Sequence, residues 1–301
     1  MHIVVSGASG LVGSALVPLL TSQGHRVSSL VRRKPRPGEI RWNPAAGSLD
    51  PAALEGADAV VHLSGENVAR RWTERRKARI RSSRVASTRL LSETLAGLSR
   101  PPQVMISASA VGIYGERGDE VLTEESPPGD EGNFLVSVAQ EWESAAEPAR
   151  VEGIRVVHPR FGLVLSRTGG ALRKMLLPFR LGLGGRLGSG KQWMSWISID
   201  DAVDIVHRAL VDNRIQGPIN LTAPEPVTNR DFTRTLGRVL SRPAVFAVPE
   251  GALRLALGEM GSTVLSSTRV LPARLLQAGF RFRHPDLESA LRHVLQRGNR
   301  G

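Results

Sequence analysis

The sequence predicts an α/β protein, with a doubly wound parallel sheet and a smaller, mainly helical carboxy-terminal region. Through the first 165 residues, β-branched apolar runs alternate with segments of helical period. A glycine cluster separates the first such run from the first helical segment, and after Leu165 glycine and arginine become frequent. Parallel strands require crossovers, and crossovers place helices on both faces of a sheet.

His2–Ser6 reads as the first strand, and Leu11–Ser22 as the first helix, with apolar positions at Leu11, Val12, Ala15, Leu16, Leu19 and Leu20. That spacing paints one face of a helix. Arg26–Val31 is a second strand, residues 59–63 a third of the fully buried kind, and 104–109 and 155–157 two more. Helical stretches fall near 75–98 and 134–149, then a patch at 175–181, a helix at 200–211 and a strand at 219–222. From Val227, basic amphipathic segments are interrupted by Pro243, Pro249, Pro272 and Pro285, and residues 297–301 read as a frayed tail. The expected division is a dinucleotide-binding unit over 1–168 with a returning segment at 195–222. Residues 169–194 and 223–301 then form a substrate-side domain.

With 301 residues and no cysteine, the chain can bury roughly three quarters of its unfolded surface without disulfides or structural metal. A thiol nucleophile and a cysteine zinc site are excluded. No apolar run reaches the ~20 residues of a membrane span, and Met1–Ser6 runs into glycine without the features of a signal peptide. A cytoplasmic protein is expected. Formal charge is +12, and only Lys34, Lys77, Lys174 and Lys191 among 40 basic residues are lysine. Nucleic-acid binding would rest on that charge alone; a solvated basic face explains it as well.

Gly7-Ala8-Ser9-Gly10-Leu11-Val12-Gly13 fits GxxGxxG between a strand and a helix. In that context the first glycine permits the turn, the second lets backbone approach a pyrophosphate, and the third lets helix and strand pack closely. Helix-start amides then face the anion. An acid about 20 residues on would bind the ribose of NAD. Here the next strand ends in Arg32-Arg33-Lys34, with no carboxylate before Glu39. A guanidinium suits a phosphate dianion, so NADP(H) is the expected cofactor.

The loop SGASGLVG, the run Asp58 to Asn67 and the run Ile106 to Gly115 resemble the extended short-chain dehydrogenase/reductases. More narrowly, Arg71-Trp72-Thr73-Glu74, Ser83-Arg84, Leu177 to Gly185, Gly188 to Ile197, Asn220 to Pro226 and Leu276 to Phe280 resemble the epimerase-family or SulA-like branch. The resemblance implies a Rossmann-like domain with a small carboxy-terminal domain and a substrate cleft between them. It also implies cofactor contacts at Gly7, Ser9, Gly10, Leu11, Val12, Arg32, Leu63 and Ser64. Arg84, which stands where relatives carry asparagine, becomes a further cofactor contact or else a surface ion pair. Dimerisation through residues 75–98 and 134–149 is implied too.

Relatives that move hydride use a Tyr-x-x-x-Lys pair; here the matching run is Phe134-Leu135-Val136-Ser137-Val138. Phenylalanine has no proton to give and valine no charge. Ser109 matches the family's catalytic serine or threonine, beside the expected nicotinamide. Tyr114, the chain's one tyrosine, is a candidate displaced donor or a structural residue. Asp130, Glu131 and Ser137 are weaker candidates, and catalysis by positioning with water as acid stays open. Two readings follow: an oxidoreductase or sugar-nucleotide-epimerase-like enzyme of unknown small-molecule substrate, or a catalytically silent cofactor sensor or scaffold linked to cell division.

Gly185 to Lys191 satisfies GxxxxGK, but Gln192 replaces the magnesium-binding hydroxyl and no buried strand precedes it. Nucleotide hydrolysis is not expected; the loop meets an anion or is a glycine connector. The seven histidines show no i, i+4 pair, so no metal is expected. His62 reads as a satisfied core histidine. Trp193 and Trp196 read as domain packing or an aromatic wall, and Asp200 and Asp201 as caps of the following helix.

Overall fold

The computed structural model describes residues 1–296. Its main sheet has nine strands, seven of which make its body: β1 (His2–Ser6), β2 (Arg26–Val31), β3 (Glu39–Asn43), β4 (Ala59–His62), β5 (Val104–Ser107), β6 (Arg155–Phe161) and β7 (Gly217–Leu221). They lie side by side in the order β7-β6-β5-β4-β1-β2-β3, all parallel. Ser48–Leu49 closes the β3 edge antiparallel, and Ser109–Ala110 pairs with the end of β6. The chain winds outward from β1 in one direction through β3 and in the other from β4. The carboxyl ends of β1 and β4 therefore bound the point where strand order reverses, which is where such sheets bind ligands.

Alternation along β1 divides two cores. Ile3 and Val5 join Leu16 and Leu20 of α1 (Leu11–Ser22) and Ile205, Val206 and Ala209 of the helix Ile199–Val211. Val4 points the other way, to Leu30, Trp42, Leu91, Leu95 and Met105. Each fully buried leucine here contributes about 1.5–3 kcal/mol. A third cluster gathers Leu172, Leu176 and Phe179 with Trp196, Phe232, Leu236, Leu287 and Leu291, outside the sheet's two faces. No helix among the described residues is long and apolar enough to cross a membrane.

Several elements differ from expectation. Residues 75–98 form two helices, Glu74–Ser82 and Val85–Ala96, broken at Ser83 and Arg84. The 134–149 stretch also divides, into Phe134–Ser144 and Glu147–Val151, with Pro148 in the second helix's first turn. The fifth strand stops at Ser107, whereas the sixth runs on to Phe161. The 175–181 patch belongs to a helix over Gly170–Arg180. Ser198 caps Ile199–Val211, its hydroxyl accepting from the Asp201 amide, so Asp200 and Asp201 occupy the first turn instead of capping it. The expected frayed tail, 297–301, lies outside the described residues.

His62 fills the floor between β1 and its neighbours. Its Nδ1 lies 2.5 Å from Ser6 Oγ and its Nε2 3.1 Å from Ser87 Oγ, and Trp42 meets it edge to face. Both ring nitrogens are satisfied, as a core histidine requires. Burial pulls its pKa down to about 4 from 6.5. Unfolded chain therefore takes a proton below pH 6.5 that the native state refuses until about pH 4. The stabilisation from neutral His62 is complete above pH 6.5 and is lost as pH falls toward 4, a change of roughly 3 kcal/mol. Denaturant melts at pH 7 and pH 4.5 should show this fall, and His62→Gln should flatten it.

Candidate functional site

The β1 end turns directly into the glycine loop. Gly7 has φ +72°, and a Cβ there would stand 2.7 Å from the Leu63 carbonyl carbon and 2.9 Å from the Ser64 amide nitrogen. Only glycine lets the two crossover loops touch at the switch point. Gly10 donates its amide to Gly7 O at 2.9 Å and begins α1 without any side-chain cap. Ser9 and Gly10 are exposed, and the first-turn amides of Leu11 and Val12 are left for an anion. Gly13 is buried, and a Cβ there would lie 2.3 Å from Gly7 O. The first and third glycines thus serve the tight turn and the close packing of helix on strand that the spacing predicts.

Arg32 follows β2 at the same edge of the sheet. It is exposed and makes no ion pair among the described residues. Arg33 is already committed: its guanidinium grips Glu39 through both nitrogens, at 2.8 and 2.5 Å. That pairing withdraws Arg33 from the basic cluster and leaves Arg32 as the phosphate-facing candidate.

Arg84 is not on the surface in an ion pair. Its guanidinium lies beneath Gly65, where a Cβ would come within 3.2 Å, and 5.1 Å from the Trp142 ring, donating to Ile80 O at 3.2 Å. Burial lowers its pKa to about 10, with Glu66 opposing. Glu66 itself is occupied by Arg76 and Arg79. Arg84 is thus a largely buried cation directly under the Ser64-Gly65 loop, with no carboxylate ion pair among the described residues.

The two candidate catalytic hydroxyls, Ser109 and Tyr114, are both held by other side chains. Ser109, 2% exposed, donates to Glu143 Oε1 at 2.6 Å. Arg160 holds both oxygens of Glu143, at 2.8 and 2.9 Å, and donates to the Tyr114 hydroxyl at 2.8 Å. Tyr114 has no exposed surface and donates to Asn220 Oδ1 at 2.8 Å. The Tyr114 hydroxyl thus has its proton and a lone pair engaged inside the core. Burial pushes its pKa up despite Arg160. Phe134 opens its helix with its ring 5.2 Å from Trp72 and 5.6 Å from Lys77 Nζ, and Val138 is buried.

Other candidates resolve simply. Gly185–Leu187 is a strand paired with Phe246–Val248, and the segment after the GxxxxGK loop is the short strand Trp193–Met194. No helix start lies there to cradle phosphates. Trp196 is fully buried and donates to Glu225 O, as packing demands; Trp193 reaches Asp119 and stacks on Arg269. Sequence reasoning missed Glu143, Arg160 and Asn220, which only the tertiary fold brings together. It also missed that Asp200, His284 and His293 converge in space.

A Gly-rich turn at a sheet's switch point, opening an uncapped helix, defines a Rossmann-like dinucleotide-binding protein. Residues 3–221 match the model of the NAD dependent epimerase/dehydratase family, and residues 248–294 a domain of unknown function, DUF1731. The chain is 43% identical over 298 residues to an epimerase family protein of Mycobacterium bovis, covering 98% of each chain. A crystal structure of the human epimerase family protein SDR39U1 with NADPH superposes at TM-score 0.90 with 36% identity, over 98% of this chain and 99% of that one. A Corynebacterium glutamicum structure described as a nucleoside-diphosphate sugar epimerase gives 0.82 with 42% identity, over 98% of this chain and 58% of that one. The protein belongs to the NAD dependent epimerase/dehydratase family, within the extended short-chain dehydrogenase/reductases.

Proposed function

We propose that the chain binds NADP(H) and acts as an oxidoreductase on a small carbonyl or hydroxyl substrate, the cofactor supplying or accepting hydride. The observation that carries this is Arg32 at the end of β2, without an ion pair among the described residues and set beside the Gly7–Gly13 cradle. Binding of NADPH by the human relative supports it. Leu11 and Val12 amides would hold the pyrophosphate, Leu63 and Ser64 would border it, and Arg84 would meet it or the adjoining ribose from below. Arg32 would pair with the 2′-phosphate. Hydrogen bonds to charged groups contribute about 1.5–3 kcal/mol, so Arg32→Ala should weaken NADPH binding roughly 10- to 100-fold and leave NADH within about twofold. Fluorescence titration reads both; equal loss of the two cofactors overturns the assignment.

The engaged hydroxyls of Ser109 and Tyr114 favour a second reading, a protein that holds NADP(H) without rapid turnover. The two differ in a single-turnover assay against a panel of aldehydes and ketones. Oxidation of bound NADPH supports the reductase; retained cofactor with no oxidation supports the sensor.

A further inference from the structure

Asp200, at the start of the helix Ile199–Val211, meets two histidines from the far end of the chain. His284 precedes the last described helix, Leu287–Gln296, and His293 lies within it. One ligand-capable atom of each lies within 4.8 Å of the others. His293 Nε2 is 3.1 Å from Asp200 Oδ2, and the two imidazoles lie 4.3 Å apart, tilted by 31°. The His284 ring makes no hydrogen bond among the described residues.

We propose that Asp200, His284 and His293 bind one divalent transition-metal ion, zinc or an ion of similar preference. Two imidazoles and a carboxylate form a zinc-type donor set, and three protein ligands leave a fourth position open. Around zinc, ligand atoms at ~2.0–2.1 Å from the metal stand about 3.3 Å from one another. Closing the cluster therefore takes side-chain movements on the order of 1 Å.

The surroundings hold the ligands in place. Asp201, fully buried, accepts the backbone amides of Arg283 at 2.7 Å and His284 at 3.2 Å, and the Ser198 hydroxyl at 2.7 Å. The turn carrying Asp200 and the loop carrying His284 are thus tied together by the neighbouring carboxylate. Leu287, Ala290, Leu291 and Val294 bury the face of the helix that carries His293. These bonds and this packing fix the backbone that carries the three side chains. The Asp200 and His293 side chains keep 13% and 35% of their surface exposed, so an ion can enter from solvent. Asp200 and Val294 also line a cleft of about 890 Å³ together with Arg167, Arg173 and Arg180. The fourth ligand is therefore water or an anionic oxygen donor. Such a metal would pin the last helix to the helix Ile199–Val211.

Cobalt(II) titration of the chelator-treated full-length chain tests this, read by visible absorption with zinc as competitor. We expect a saturable band at one equivalent, displaced by zinc, and at least tenfold weaker binding in His284→Ala and in His293→Ala. Zinc should raise Tm in the unsubstituted chain and leave His284→Ala unmoved. Among the described residues the His284 ring makes no hydrogen bond, so its variant should fold, which its own melting curve without metal checks. No saturable binding, or binding undiminished in His284→Ala, overturns the site. The readout does not involve NADPH, so it stands apart from the fate of the cofactor assignment.

Discussion

Replacing Gly13 with alanine is expected to weaken NADPH binding by up to about a hundredfold and to lower Tm. Helix propensity alone predicts the reverse, since alanine gains about 1 kcal/mol over glycine in a helix interior. The added Cβ would lie 2.3 Å from Gly7 O and 2.8 Å from Ala8 Cα. Both are backbone atoms of the turn, so relief must come from moving the loop away from α1. Overpacking of this kind costs about 1–3 kcal/mol, and a hundredfold loss of affinity corresponds to about 2.7 kcal/mol. Gly251→Ala is the control. That glycine is also helical, with open space around a new Cβ, and should be neutral or stabilising. If Gly13→Ala binds NADPH normally, the close packing of loop on helix is not what shapes the site.

Glu143→Ala should be the most destabilising single change at the sheet's far end, by about 3–5 kcal/mol, because it strands a buried cation. Arg160 keeps only 8% of its side-chain surface and Glu143 15%, so little water is available to replace the carboxylate. Burial by itself would raise the Glu143 pKa, but pairing with Arg160 prevails and holds it below the ordinary value. For a chain this long the loss should lower Tm by on the order of 10 °C, measured by calorimetry. Tyr114→Phe gives a complementary result. It leaves Arg160 and Asn220 each short of one partner, at about 1–3 kcal/mol, and should change any turnover no more than that loss of stability explains. A selective collapse of turnover with Tm intact would return Tyr114 to the role of proton donor.

What the sequence made legible was local. The His2–Ser6 run, the glycine spacing and the 3.6-residue period of Leu11–Ser22 each report on neighbours a few positions apart, and all three stand in the structure. β3 was missed although Glu39-Ile40-Arg41-Trp42-Asn43 alternates polar and apolar residues as a half-buried strand does, because it is only five residues long and sits directly behind Pro35 and Pro37. The break at Ser83 and Arg84 carries neither glycine nor proline, so no local signal in the sequence marks it. Other features were beyond reach on principle. Tyr114 and Asn220 are 106 positions apart and Arg160 and Glu143 17 apart; the pairing of β6 with β7, which sets Arg160 opposite Asn220, and the reach of Arg160 to Glu143 and Tyr114 unite them. The histidines looked scattered because ligand spacing was sought along the chain, while His293 and Asp200 meet across 93 residues. Arg33 was read with Arg32 as one basic run, and Glu39 at the start of β3 separates them.

The cofactor assignment turns on one charge at the end of β2, and calorimetric titration of the unsubstituted chain with NADPH and with NADH tests it most directly. A free Arg32 facing a 2′-phosphate predicts NADPH bound at least tenfold tighter, with the difference shrinking as salt is raised. Equal affinity for the two, or tighter binding of NADH, would contradict it.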